Sequence, residues 1–152
     1  MRDIISEAKS ENHSLTEKVE IWSFGYKFGF LEADAIFDVR FLPNPYYDEN
    51  LSCSTGKDSA CSAFVLQNVE AQDFVAKLAA LILALRASAD VIRKPVIKIA
   101  VGCTGGRHRS VAVVEELARQ LKYMTTPKSY LYIEVHHRDA AKWVLSKKIV
   151  LS

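Results

Sequence analysis

Val96-Ile-Lys-Ile-Ala-Val-Gly-Cys-Thr-Gly-Gly-Arg-His-Arg-Ser-Val-Ala-Val-Val-Glu-Glu-Leu-Ala-Arg-Gln-Leu121 decides the fold. The apolar run Val96 to Val101 reads as a strand, and Val111 to Leu121, apolar at helical period, reads as a helix. Between them Gly102, Gly105 and Gly106 make a tight turn. Glycines let such a turn take positive φ and face its N–H groups inward. The helix start adds unpaired N–H groups and the positive end of its dipole. Arg107, His108 and Arg109 add charge at the same point. A loop of this kind seats a phosphate, a sulfate or a carboxylate. The plainer alternative is a turn that merely closes a βα unit. Two arginines, a histidine and a cysteine within a short span favour the anion.

Around this stretch, 152 residues suit one domain with a sizeable core. Composition is that of an ordinary globular protein. The uncharged run Leu78 to Leu85, closed by Lys77 and Arg86, is too short to span a bilayer, so no membrane role is expected. Asp3 and Glu7 and the lack of an apolar core segment speak against a secretion signal. Cys53, Cys61 and Cys103 are odd in number and lack metal-ligand spacing, so they read as reduced thiols of a cytoplasmic protein. Charge is uneven. Residues 1–90 hold 8 Lys and Arg against 14 Asp and Glu, and residues 91–152 hold 12 against 4. Either the basic part meets a polyanion or phosphorylated ligand, or the two parts neutralise each other within the fold or across a dimer.

The remaining chain falls into segments. Residues 1–18 read as a polar leader with one short helix around Ile4 to Lys9. Val19 to Phe28 reads as an aromatic strand, in which Gly25 marks a bulge or a close approach by another backbone or a ligand. Ala33 to Arg40 reads as a second short strand with Asp38 and Arg40 on one side. Those two either serve a site at the strand's C-terminal end or form a local ion pair. Phe41-Leu-Pro-Asn-Pro-Tyr-Tyr47 is a stiff loop whose aromatics are expected to pack it down, with contact to a base or sugar ring as the alternative. Residues 48–60 read as loop. Thr55-Gly-Lys-Asp58 lacks the upstream glycine and the hydroxyl of an ATP-binding P-loop. Asn68 is expected to cap a helix from about Val69 to Asp90, with Phe74, Leu78, Leu81, Ile82, Leu85 and Ala89 on its core face. Val113, Val114, Leu117 and Leu121 form the buried stripe of the later helix, and Tyr130 to Val135 reads as a last strand. Residues 140–152 read as an amphipathic tail.

Cys103 and Arg109, with five residues between them, have the Cys-x5-Arg spacing of cysteine phosphatases, and Ser110 follows. A thiol beside a helix N-terminus and two arginines is expected to ionise easily and attack phosphorus, with Asp38 or Asp58 as the proton donor. Against this stands a small cysteine buried at a strand end. His108, His136 and His137 match no zinc template, so no metal is expected. They suit an anion better, and His136 and His137 alternate, so only one of them faces a site.

Gly25-Tyr-Lys-Phe-Gly29, Phe37-Asp-Val-Arg-Phe-Leu-Pro-Asn-Pro45, Thr55-Gly-Lys-Asp58, Gly102-Cys-Thr-Gly-Gly-Arg-His-Arg-Ser110 and His137-Arg-Asp139 occur in one order that resembles a known family. The chain looks like the C-terminal domain of the RapZ family, bacterial RNase adapter proteins, over about residues 19–139. The resemblance implies an α/β single domain, a mixed central sheet flanked by helices and likened to a phosphofructokinase subdomain. It implies a non-catalytic module that binds an aminosugar phosphate and regulatory RNA, works with an RNA-processing protein and forms homo-oligomers. The nucleotide-binding P-loop domain of full-length members lies outside this sequence, and no cofactor is expected. Carried over by position, Thr104, Gly105, His108 and Arg109 hold the phosphate, and Gly106, Arg107 and Ser110 of the same loop are expected among the ligand-binding residues. Asp38, Arg40, Asn44, His137 and Arg138 line the rest of the pocket. A cysteine phosphatase using Cys103, Arg109 and Asp38 is the alternative.

Overall fold

The computed structural model describes residues 17–125 and 131–143. The expected leader helix and most of the amphipathic tail lie outside them. Four strands, β1 (Glu17–Gly25), β2 (Ala35–Asp38), β3 (Val96–Cys103) and β4 (Leu131–His137), alternate with α1 (Ser59–Leu66), α2 (Val69–Val91) and α3 (Arg109–Met124). The spatial order is β2-β3-β1-β4. Every pairing is parallel, a narrower arrangement than the mixed sheet expected from sequence. Parallel neighbours need long crossovers, and the helices supply most of them.

Alternation along the strands divides the sheet into two faces. Val19 and Ile21 of β1 join Ile97, Ile99 and Val101 of β3 in one core with α2 and α3. In α3 the expected stripe of Val113, Val114, Leu117 and Leu121 is fully buried. In α2 the buried line runs through Ala71, Val75, Leu78, Ala79, Ile82, Arg86 and Ala89. That line is rotated from the expected one, which leaves Leu81 exposed and Phe74 and Leu85 at the core's edge. The rotation follows from Ala71, Ala79 and Arg86. The alanines allow close packing, and Arg86 is buried because its guanidinium donates to the carbonyls of Lys18 (3.0 Å), Pro95 (3.1 Å) and Lys94 and to Asp90.

Local signals explain the helix ends. Asn68 Oδ1 accepts from Ala71 N at 2.8 Å, the N-cap expected for α2. Residues 59 and 60, read from sequence as loop, begin α1. Its segment Ser59-Ala-Cys-Ser-Ala-Phe-Val-Leu66 has no clear helical apolar period and takes its shape from packing between its neighbours. β1 ends at Gly25, and Tyr26–Phe28 form a single 3-10 turn where more strand was expected. β2 is likewise shorter than its reading. Among the described residues no helix is long and apolar enough to cross a membrane.

The register brings the strand C-termini together. Gly25 lies beside Cys103, Asp38 beside Gly102, and Ser23 beside His137. The glycine loop therefore opens at the carboxyl ends of the strands, where open α/β folds place their ligands.

Candidate functional site

The loop after β3 is built backbone on backbone. Gly106 has φ of +64°, which a side chain rarely adopts. A Cβ there would lie 2.5 Å from Gly25 N, and one on Gly25 would lie 2.6 Å from Gly105 C. The close approach expected at Gly25 is thus to the glycine loop itself. Thr104 O accepts from Lys27 N (3.1 Å), Gly106 O from Trp143 Nε1 (3.1 Å), and Arg107 O from Gly56 N (2.9 Å). Three of the loop's carbonyls are taken in this way. Among the described residues, the amides of Thr104, Gly105, Gly106 and His108 donate to no protein acceptor. The first bond of α3 is Ala112 N to His108 O, at 2.9 Å. Donors left over at such a turn are the raw material of an anion cradle.

A cavity of about 710 Å³ opens against this loop. Cys103, Thr104, Gly105, Arg107, His108 and Arg109 form its floor. Lys27 and Phe28 close one side, Asn44, Tyr46 and Tyr47 another, with Ser52, Cys53, Lys142 and Trp143 completing the wall. Four cations and a histidine line it, and no described lining residue carries a carboxylate.

Arg109 is 7% exposed and braces the site. Its Nη1 donates to Arg40 O at 2.7 Å and its Nη2 reaches Thr104 Oγ1 at 3.4 Å. Arg107 Nε donates to Ser54 O at 2.8 Å, which fixes the 52–54 turn against the loop. His108 Nε2 meets Ser52 O at 3.1 Å. Burial, and then the Arg107 charge, push the His108 imidazole below its ordinary value. It is therefore neutral at pH 7, and its Nε2–H donates to Ser52 O. Gly56 sits where a Cβ would be 2.3 Å from Ala112 N, so the Thr55-Gly-Lys-Asp58 turn docks on the start of α3.

The structure separates the residues expected in the site. Asn44, Thr104, Gly105, Arg107, His108, Arg109 and Cys103 line the cavity. Gly106 supports it from behind. Ser110 is fully buried, its Oγ 3.1 Å from Cys103 Sγ. Asp38 and Arg40 form the local ion pair at 2.6 Å, and Arg40 lies over the Tyr26 ring at 4.3 Å. The Arg40 hydrogen bonds hold the Asp38 carboxyl below its usual range against the pull of burial. His137 is wedged between Ser23 Oγ (2.6 Å) and Glu115 Oε1 (2.7 Å), and burial lowers its pKa. Arg138 clamps the chain after β1 through Gly25 O (3.1 Å), Gly29 O (2.9 Å) and Phe30 O (3.1 Å). It also pairs with buried Asp139, which takes the Gly25 amide at 2.8 Å.

Sequence reading missed Lys27, Phe28, Ser52, Cys53, Lys142 and Trp143 as lining residues and gave ligand contact by Tyr46 and Tyr47 only as the alternative. Lys27 and Phe28 lay inside a quoted motif, which was the available signal. Phe41 meets Phe74 edge to face at 5.1 Å, yet Phe41, Tyr46 and Tyr47 all stay exposed, the two tyrosines at the cavity rim, contrary to the packing expected of the loop. Lys142 and Trp143 arrive only by tertiary folding. Lys142 Nζ lies 3.5 Å from the Phe28 ring centre.

Comparison with known proteins gives one family. The pattern described as RapZ C-terminal domain matches residues 17–141. A nucleotide-binding protein of Bacillus licheniformis is 42% identical over 93% of this chain and 46% of its own length. Nucleotide-binding protein YvcJ of Bacillus subtilis is 43% identical over the same shares, and a nucleotide-binding protein of Limosilactobacillus fermentum 41% over 93% and 48%. The chain spans about half the length of these relatives.

Proposed function

The chain belongs to the RapZ C-terminal domain family, and from that premise we propose that it is a non-catalytic binding module for a phosphorylated metabolite of the aminosugar phosphate class. The observation that carries the reading is the cavity wall: Lys27, Arg107, Arg109 and Lys142 beside unengaged loop amides, with no carboxylate among the described lining residues, although Lys142 also pairs with Asp139 at 3.2 Å. A phosphate gains charge-assisted hydrogen bonds from such donors. Phe28, Tyr46, Tyr47 and Trp143 offer flat apolar surfaces to a sugar ring, and Asn44 and the tyrosine hydroxyls offer acceptors to an ammonium group. The reading needs no cofactor. It places the domain in the cytoplasm, which suits three free thiols.

Isothermal titration with glucosamine 6-phosphate, glucosamine, inorganic phosphate and an adenine nucleotide tests it. Binding of the phosphosugar in preference to the other three is expected. No binding of any phosphate compound refutes it. The nucleotide arm is included because the relatives carry nucleotide-binding names.

The same membership supports an adapter role, in which regulatory RNA and an RNA-processing protein meet on assembled copies of the domain. RNA held through its phosphates should lose affinity steeply with salt. Filter binding from low to high salt decides, and salt-insensitive or absent binding ends that part.

The phosphatase alternative rests on Cys103, which lines the cavity. It lacks its acid. Asp38 is held ionised by Arg40, and neither it nor Asp58 is among the described residues that line the cavity, none of which carries a carboxyl group. Turnover of an aryl phosphate that is lost in Cys103→Ser would reinstate it.

A further inference from the structure

The sheet face turned away from α2 and α3 carries a second constellation. Glu20 and Trp22 of β1 stand beside Glu134 and His136 of β4, in parallel register. One ligand atom from each of Glu20, Glu134 and His136 lies within 4.8 Å of the others. No spacing in the sequence announces this set, because β1 and β4 meet only in the folded sheet.

The geometry within the set is that of co-ligands. His136 Nε2 approaches Glu134 Oε1 to 2.9 Å, yet it is buried without a hydrogen-bond partner among the described residues. Two electron-pair donors so close, and not aligned as donor and acceptor, are placed to share a third centre. With metal–ligand bonds of about 2.1 Å, adjacent ligands stand about 3.0–3.4 Å apart. Trp22 orients two of the three groups. Its indole stacks on His136 at 4.1 Å and 16°, and its Nε1 donates to Glu20 Oε2 at 3.1 Å. Groups outside the ligand set that fix ligand orientation in this manner are part of natural metal sites.

We propose that Glu20, Glu134 and His136 form a binding site for a divalent transition-metal cation of the zinc type. Two carboxylates and an imidazole match that class, whereas calcium and magnesium prefer oxygen throughout. Three protein ligands leave positions open to water. Lys18 is the built-in competitor. Its ammonium lies 3.1 Å from Glu20 Oε1 and contacts Glu134 Oε2. Lys98, over the Trp22 ring at 4.5 Å, is a second cation facing the group among the described residues. The metal displaces the Lys18 ammonium and ties the edge strand β4 to β1. None of these residues lines the phosphate cavity, so the two proposals stand or fall separately.

Cobalt titration of chelator-treated full chain is the test, read by visible ligand-field absorption. A Trp143→Phe background adds a second readout, because Trp22 is then the remaining tryptophan and stacks on a ligand. The expected result is a 1:1 complex that quenches Trp22 and is displaced by zinc. Affinity should fall at least tenfold in His136→Ala and in the near-isosteric Glu134→Gln, and rise several-fold in Lys18→Met. Wild-type protein that shows neither ligand-field bands nor quenching overturns the proposal. So does cobalt binding that is unchanged in both ligand variants, which places the ion elsewhere.

Discussion

Gly25→Ala isolates the contact on which the loop depends. Gly25 has φ −107° and ψ 124°, a region open to any residue, so alanine brings no backbone strain. Its Cβ would stand 2.6 Å from Gly105 C, 2.8 Å from Gly105 O and 2.8 Å from Gly106 N. All three are backbone atoms, and no side chain can swing aside. Carbon atoms rest at about 3.5–4.0 Å, so the loop must retreat by about 1 Å. Overpacking of this kind costs about 1–3 kcal/mol, or about 2–4 °C of Tm per kcal/mol in a domain of this size. The retreat also pulls on the Thr104 O and Gly106 O tethers and moves the free amides. Losing one charge-assisted hydrogen bond to phosphate weakens binding by about tenfold or more. Gly105→Ala is the control. There the nearest atoms are Lys27 Cε at 3.7 Å and Nζ at 3.8 Å, ordinary contact with a flexible chain. Urea unfolding gives the stabilities, and titration with glucosamine 6-phosphate gives the affinities. If Gly25→Ala keeps the wild-type urea midpoint while Gly105→Ala loses stability, the backbone-on-backbone account is refuted.

Lys27→Ala and Lys142→Ala should each weaken phosphosugar binding several-fold, since one charge about 4 Å away in a water-like medium is worth about 1 kcal/mol. Calorimetry at two ionic strengths checks this, and an affinity that ignores both lysines and salt contradicts it. Burial keeps the imidazoles of His108 and His137 below their ordinary value, so the unfolded chain binds up to two more protons as pH falls. Their contribution is complete above the ordinary histidine value of 6.5 and declines below it, by up to about 1.4 kcal/mol per pH unit for each histidine until the folded imidazoles protonate. Urea midpoints measured across that range should show the decline, and His137→Gln should reduce its slope by about half. Arg86→Met removes the guanidinium donors from the carbonyls of Lys18, Lys94 and Pro95, of which Pro95 O keeps Lys18 N at 3.0 Å; a loss of at least about 2 kcal/mol in urea unfolding is expected, and an unchanged midpoint contradicts the role given to that side chain.

Much of the fold was legible in the chain because its signals are local. The glycine turn after Val101, the Asn68 cap and the stripe through Val113, Val114, Leu117 and Leu121 each depend on residues a few positions apart. The need for glycine at Gly25 was readable too, though not which backbone would approach it. The charged loop at the head of α3 pointed to the cavity floor. The helix at 59–66 was not legible, since its apolar residues follow no clean period and packing shapes it. Nor was the turn of α2 that buries Arg86 and exposes Leu81, which depends on the distant carbonyl of Lys18 and on those of Lys94 and Pro95 beyond the helix end.

The order of residues determined the strand-turn-helix unit and the donors concentrated in it, because hydrogen-bond geometry and side-chain period act over short spans. Tertiary structure alone decided the β2-β3-β1-β4 pairing, and with it everything assembled across strands. It drew His137 and Arg138 into bracing contacts and brought Lys142 and Trp143 to the cavity wall. It also set Glu20 beside Glu134 and His136. Such neighbours lie up to more than a hundred positions apart, and only the register of a folded sheet brings their side chains within bonding distance.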